Sequence, residues 1–335
     1  MKALLLINLG TPDAPVKKDV KRYLTEFLND PRVIDFPTVK RKLLVNGIIV
    51  PFRTNDSTLA YQELWTEKGS PLLYHTEALA DKMASELKGE YEVYFSMRYQ
   101  NPSLSRVMAE IERKAYSELV VVPLYPQYAS SSTGSTAQRV MELMSKWEVI
   151  PSFRMINSFF DDEGFIEVVA SNGRKYNIAS FDHVLFSYHG LPERHINKSC
   201  KVPGCKPEEC ISENTYERKY CYRSACYETT RRVVGKLGLP AERYSVAFQS
   251  RLGKDPWIQP FADHVIVDLA RKGVKKLLVF SPAFVADCLE TVVEIGSEYQ
   301  ELFEENGGEQ IQLVESLNSS DAWVKALKKM VLKSA

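Results

Sequence analysis

Short runs of aliphatic and β-branched residues alternate along the chain with longer stretches whose apolar residues recur every three or four positions. That order restricts the chain to βαβ units, with parallel sheets covered by helices on both faces. Strands are predicted at 3–9, 91–97, 119–124, 184–188, 244–248 and 276–281, with another near 310–314. Helices are predicted at 76–87, 103–116, 134–146, 225–237, 258–272 and 321–332. At 335 residues the chain exceeds one core of the usual ~100–200 residues, and its strand ends repeat a theme. LINLGTP, FSMRYQNP and VVVPLYP in the first half correspond to LFSYHGLP, VAFQSRLGKDP and LVFSPAF in the second. Two copies of one doubly wound α/β unit explain this, with a boundary near Pro151 and domains at 1–150 and 151–318, followed by a C-terminal helix at 319–335.

Charge excludes some functions. Lys and Arg number 43 against 43 Asp and Glu, so no basic field is available to hold nucleic acid. The apolar run 3–7 is too short for a signal peptide, and nothing approaches the ~20 apolar residues of a membrane span. The expected location is cytoplasmic, or peripheral to a membrane.

In open α/β sheets ligands bind beyond the carboxyl ends of the strands, and the chemically capable residues collect there. His189 ends a strand before Gly190-Leu191-Pro192, where a neutral imidazole suits a general base. His75 and His264 fall in helical patterns, His183 at a strand entry, and His195 is expected to face solvent. Asp287, Glu290 and Glu294 are spaced to share one helix stripe between apolar residues, an arrangement that holds a cation or shares protons, or else a solvated acidic face. Arg53, Ser70, Arg98, Tyr99, Tyr125, Tyr128 and Trp257 mix guanidinium, hydroxyl and aromatic groups. Such groups suit a flat apolar molecule bearing carboxylates, although packing and ion pairs explain each one separately.

Three stretches interrupt the α/β order. Residues 31–56 combine Leu43, Leu44, Val45, Ile48, Ile49, Val50 and Phe52 with Lys40, Arg41, Lys42 and Arg53, as in an amphipathic lid, a membrane-surface patch or a helix packed on its own domain. Ser130 to Thr136 form a hydroxyl-rich helix entry that either caps the helix or binds an anion. The third stretch holds Cys200, Cys205, Cys210, Cys221 and Cys226, crowded in a way that suggests metal before disulfide. The spacing lacks the paired C-x2-C of zinc fingers, and four thiolates from such a loop suit a [2Fe–2S] cluster; structural zinc or free thiols are the alternatives. Cys200, Cys205 and Cys210 are the first three ligands, with Cys221 preferred as the fourth and Cys226 as the alternative. Cys288 stands apart.

NLGTP, MRYQNP, PLYPQY with SSSTGS, SYHGLPERH, FQSRLGKDPW and SPAFVADCLET together resemble the ferrochelatase family, whose members insert ferrous iron into a porphyrin at the end of heme synthesis. The resemblance implies two similar four-stranded Rossmann-like domains with the porphyrin cleft between them. It makes His189 and Glu290 the essential pair, also touching the substrate iron, with Asp287 and Glu294 as acidic partners. Arg98, Tyr99, Ser70, Tyr128 and Trp257 fall at porphyrin positions, and 31–56 is similar to a lip that covers the porphyrin, with Arg53 on a propionate. That lip carries the membrane-contacting surface in relatives. Some members hold a [2Fe–2S] cluster, with most ligands at the C-terminus in the animal enzymes; this chain ends KKMVLKSA, and the remaining ligand position is Ser130, so a cluster here needs the internal cysteines. The implied substrates are protoporphyrin IX and Fe2+. Alternatives are a coproporphyrin or other-metal chelatase, and a non-catalytic heme or porphyrin carrier. One chain does not set the oligomeric state, and a homodimer is compatible with it.

Overall fold

Two parallel four-stranded sheets organise the chain, and in each the first strand in sequence lies inside, so that the chain winds outward in both directions from it. The orders are β2-β1-β3-β4 and β6-β5-β7-β8. The first comprises β1 (Lys2–Gly10), β2 (Tyr91–Tyr99), β3 (Glu118–Pro123) and β4 (Ser152–Met155); the second comprises β5 (His183–His189), β6 (Tyr244–Gln249), β7 (Lys276–Phe280) and β8 (Gln310–Leu313). The structure, a computed structural model, describes residues 1–202, 206–212, 218–251, 253 and 255–333. One compact unit contains Met1–Tyr125, Ala129–Ser158 and Ser319–Ala335, the other Pro126–Tyr128 and Phe159–Asn318. As a fold this is the two-sheet α/β arrangement that the alternation predicts.

The helices of the first unit are α1 (Lys17–Leu28), α2 (Thr38–Leu44), α3 (Val50–Leu64), α4 (Pro71–Glu86), α5 (Leu104–Glu112) and α6 (Ser135–Met144). Those of the second are α7 (Glu163–Arg174), α8 (Glu193–Ser199), α9 (Pro207–Ser212), α10 (Tyr222–Leu237), α11 (Ala262–Arg271), α12 (Leu289–Val292) and α13 (Tyr299–Glu305). The final helix, α14 (Asp321–Lys333), belongs to the first unit, where Lys82 pairs with Asp321 at 2.6 Å and Lys328 with Glu86 at 2.9 Å.

Central strands read as unbroken apolar runs because both faces are covered. Ala3 to Ile7 of β1 are fully buried, with Ala3, Leu5 and Ile7 against Val107, Ile111 and Val140 of α5 and α6. The equivalent face in the second unit joins Leu185, Ala247, Leu277 and Val279 to Ile266 and Phe303. Gly10 must be glycine: its φ is +119°, and a Cβ there would lie 2.0 Å from the carbonyl oxygen of its ladder partner Tyr99.

Strand β4 escapes the sequence pattern because SFRM has no apolar run. As an edge strand it is half-exposed, and Arg154 ties it to Glu118 at 3.2 Å and to the Val331 carbonyl at 2.8 Å. The first unit therefore runs on to Ser158, past the expected boundary at 150, and takes in the C-terminal helix. Residues 38–64 form α2 and α3 joined by a π-turn at Val45–Ile49. Val45, Val50 and Tyr61 face the unit's interior while Val39, Leu43, Ile48 and Phe52 are exposed, so the apolar set divides between two faces. Among the described residues no helix is long and apolar enough to cross a membrane.

His183 opens β5, buried, with Nε2 2.8 Å from Ser245 Oγ. Burial, helped by Arg243 and Lys272, pushes its pKa below the ordinary imidazole value. The folded chain keeps this ring neutral to lower pH than the unfolded chain, which takes up a proton from about pH 6.5 downward. Its contribution to stability is therefore whole above that pH and is lost as the pH falls. The urea midpoint should drop further between about pH 7.5 and about pH 5.5 in the parent chain than in His183→Gln; equal drops would clear His183 as the cause.

Candidate active site

A sheet that winds in both directions from an inner strand leaves a crevice where the connections part, beyond the ends of that strand and its neighbour. In the second sheet that point lies beyond β5 and β7. His189 is the last residue of β5, and the loop after β7 runs through Phe284 and Asp287 to α12. The His189 and Phe284 rings are 6.4 Å apart.

The backbone around His189 is held closely. Its ladder partner is Gln249, the last residue of β6, and the Gly190 N–H donates to the Gln249 carbonyl at 2.7 Å. A Cβ on Gly190 would come within 2.8 Å of that oxygen and 3.3 Å of the Trp257 ring, so the motif needs glycine and brings Trp257 beside the histidine turn. His189 Nδ1 lies 2.6 Å from the Gly190 carbonyl. A carbonyl only accepts, so Nδ1 carries the hydrogen and Nε2 keeps its lone pair for an incoming proton.

Gln249 also joins the histidine strand to the acids. Its amide is buried; Oε1 accepts from Ser187 Oγ at 2.6 Å, and Nε2 donates to the Glu290 carbonyl at 2.8 Å and to Glu294 Oε2 at 2.9 Å. Glu294 further accepts from Ser250 Oγ at 2.5 Å and from the Tyr299 hydroxyl at 3.0 Å. Ser250 reaches it only from a left-handed backbone, φ +65°, a strain of about 1–2 kcal/mol kept by the contacts it makes. One amide side chain thus joins the Glu290 backbone and the Glu294 carboxylate to β5, through Ser187, and belongs to the residue that ladders with His189.

The acids do not form the single helical stripe that their spacing suggests. Cys288 is an extended N-cap, exchanging hydrogen bonds with Thr291, so α12 begins at Leu289 and Asp287 lies before it; Glu294 opens a π-turn at Glu294–Glu298. Asp287 is stapled to Asn318: its N–H donates to Asn318 Oδ1 at 2.9 Å and its Oδ2 accepts from Asn318 Nδ2 at 2.8 Å. His195, expected to face solvent, is buried in α8.

The first unit holds a separate polar knot. Asp30, nearly buried, accepts from Arg98 at 2.6 Å, Tyr99 at 3.0 Å and Ser135 at 2.6 Å, and Arg98 Nε reaches Ser135 at 2.8 Å. Burial and the Asp30 charge push the Tyr99 hydroxyl pKa far up, so it stays a donor. Ser135 lies in the hydroxyl-rich helix entry, where it holds Asp30 rather than an outside anion, whereas Asp30 carries no sequence signal: a lone Asp before Pro31 reads as a turn residue, and only the fold brings it to Arg98. Ser70 is buried at the N-cap position of α4 without a side-chain capping bond, and Arg53 is exposed on α3. In the second unit the Tyr128 ring meets Tyr220 edge-on at 5.2 Å.

Among the cysteines, Cys210 and Cys221 are buried with their sulfurs 3.8 Å apart. That exceeds a disulfide bond and is a hydrogen-bonding contact between two sulfurs. The hydrogen bond between the two sulfurs lowers the Cys221 pKa. Cys200 is half-buried. Cys205 lies outside the described residues. Cys226 is fully buried inside α10 with its pKa pushed well up, an environment for a neutral thiol and against its choice as a ligand. Among the described residues no group of three or more His, Cys, Asp or Glu is arranged to hold a metal ion.

Comparison with known proteins decides the family. The ferrochelatase family model matches residues 1–335. The chain belongs to the ferrochelatase family. A ferrochelatase of Legionella pneumophila (strain Lens) is 45% identical over 334 residues, 98% of each chain. One from Coxiella burnetii (strain Dugway 5J108-111) is 41% identical over 334 residues, 99% of this chain and 93% of the relative. Among solved structures, SirB from Bacillus subtilis with Fe3+ shares the fold at a TM-score of 0.54 and 13% identity, over 100% of this chain and 96% of that one. CbiX, the terminal enzyme for biosynthesis of siroheme in denitrifying bacteria, shares it at a TM-score of 0.52 and 14% identity over 100% of both. As a ferrochelatase, the chain is a lyase that inserts iron into protoporphyrin in heme biosynthesis.

Gln249→Leu keeps the volume but leaves the Ser187 hydroxyl without its acceptor and takes from Glu294 one of its three donors. It should cost about 1–3 kcal/mol of stability and lower kcat roughly ten-fold with porphyrin KM unchanged. Urea unfolding and steady-state insertion read the two effects, and an unaltered kcat would mean the acids do not depend on this amide.

Proposed function

We propose that His189 is the base that takes the pyrrole protons while Fe2+ enters protoporphyrin IX to give protoheme. The observation that carries this is the pairing of His189 with Gln249, whose side chain also binds the Glu290 backbone and the Glu294 carboxylate. The macrocycle must lose two N–H protons as the hydrated ion sheds its water, and its flat ring shields the nitrogens. A base on one face of a ring held out of plane lowers both obstacles.

The three acids then divide the work by how firmly each is held. Glu294 accepts three hydrogen bonds and Asp287 is stapled to Asn318, so both act chiefly as fixed negative charge near the metal's route. Glu290, in the first turn of α12, meets the Cys288 thiol, a weaker partner than those of the other two acids, and we assign it delivery of the ion and onward relay of the proton. Arg53, Ser70, Arg98, Tyr99, Tyr128 and Trp257 are assigned to the porphyrin, with Arg53 on a propionate, under a lip made by α2 and α3. The exposed Val39, Leu43, Ile48 and Phe52 on that lip, with Lys40 and Lys42 between them, support peripheral contact with the inner face of the cytoplasmic membrane.

Anaerobic loss of porphyrin fluorescence on adding Fe2+ measures turnover. His189→Ala should reduce it by at least about 1,000-fold, within the range of losing a general base, while far-UV circular dichroism stays unchanged. A spectral shift without turnover in the parent chain would instead indicate a carrier, and faster insertion into coproporphyrin would move the substrate.

The cysteine segment supports a finer reading, a [2Fe–2S] cluster on Cys200, Cys205, Cys210 and Cys221. The 3.8 Å spacing of Cys210 and Cys221 fits the two thiolates of one iron. Such a cluster would cross-link the segment. Anaerobically purified chain should be coloured, with iron and sulfide in equal amounts, and Cys221→Ser should bleach it; a colourless zinc-loaded protein would overturn the assignment.

A further inference from the structure

We infer that Tyr222 is a positioning residue for His189 and links the Cys210/Cys221 pair to the reacting imidazole. This rests on the reading of His189 as proton acceptor. The Tyr222 hydroxyl, on the first residue of α10, donates to the backbone carbonyl of His189 at 2.8 Å. That carbonyl needs a partner from outside the sheet. Strand β5 is laddered to β7 only as far as Phe186, paired with Phe280, so at His189 it has β6 on one side and no strand on the other. A buried phenol from a helix takes the missing strand's place.

The residues on either side of Tyr222 tie this contact to the cysteines. Cys221 is the N-cap of α10, its sulfur 3.8 Å from that of Cys210 on α9. Arg231 of α10 donates to the Ile211 carbonyl at 2.6 Å, fastening α9 to the same helix. Tyr220, just before the cap, sets its ring against Tyr128. Three successive residues thus reach Tyr128, a thiol pair and the His189 carbonyl. A helix turn moves as a unit, and a 2.8 Å hydrogen bond is lost once it stretches by about 0.8 Å. Changing the Cys210–Cys221 contact therefore alters the support of His189.

A double-mutant cycle in the full chain, over Tyr222→Phe and Cys210→Ser, tests this with two readouts: kcat for iron insertion, and the imidazole Cε1–H resonance of His189, assigned by its loss in His189→Ala. Each single change should lower kcat about five-fold, the worth of one hydrogen bond, at unchanged porphyrin KM, and should shift the resonance. The double variant should be no slower than the slower single variant. Effects that multiply, or a Cys210→Ser chain whose His189 resonance stays in place, would overturn the inference; Cys210→Ala takes that role should the serine variant fail to fold. If His189→Ala kept full activity, the assignment of the base would fall, while the resonance would still decide the coupling.

Discussion

Everything at the site depends on where β5 lies in its sheet. A strand with neighbours on both sides is fixed along most of its length by two ladders, and its end is fixed with it. His189 sits at that end, opposite Gln249, and one buried amide then transmits the register of the sheet to Glu290 and Glu294. The proposed role of His189, which requires an imidazole placed against a ring nitrogen to within a fraction of an ångström, would need this rigidity. A histidine on a free loop would spend binding energy on its own ordering.

The acids raise a problem that the hydrogen bonds answer. Carboxylates close together repel and push one another toward protonation unless donors or cations compensate. Here Asp287 and Glu294 are each surrounded by neutral donors, an asparagine amide in one case and a glutamine, a serine and a tyrosine in the other. Neutral donors stabilise negative charge without cancelling it, so attraction for a divalent ion survives. An arginine in the same place would have neutralised it. In the first unit Asp30 does meet an arginine, Arg98, and the side chains knot together; that carboxylate organises neighbours and is not exposed to an ion.

The strands, the double winding and the placement of His189 at a strand end were legible because parallel strands leave an unbroken apolar signature. Edge strand β4 was not legible, since SFRM buries only half of itself and gives no pattern to detect. The stripe read from Asp287, Glu290 and Glu294 assumed one continuous helix. Cys288 takes an extended backbone and caps the helix from within the motif, and no periodicity announces that a cysteine will do the work usually given to serine or aspartate. For Asp30, Ser135, Gln249 and Asn318 it is the role that was illegible, although Ser135 and Gln249 stand in stretches that the sequence marks out. Each acts on a partner dozens of residues away or more, or across a turn whose geometry is set by tertiary contacts, so the sequence near them carries no trace of the role.

Ser250 shows how such distant contacts decide local conformation. Alone, a serine prefers negative φ by about 1–2 kcal/mol, yet here it is held at +65° with its hydroxyl on Glu294. The strain is sustained because Gln249 beside it is locked by Ser187 and by the acid helix, leaving the next residue only one direction that also satisfies the carboxylate. A glycine would adopt the same backbone without strain but would supply no hydroxyl, and Glu294 would lose one of its three donors. The sequence therefore retains a conformationally unfavourable residue at the point where the strand must turn and the acid must be held, so the strain marks the site as surely as the histidine does.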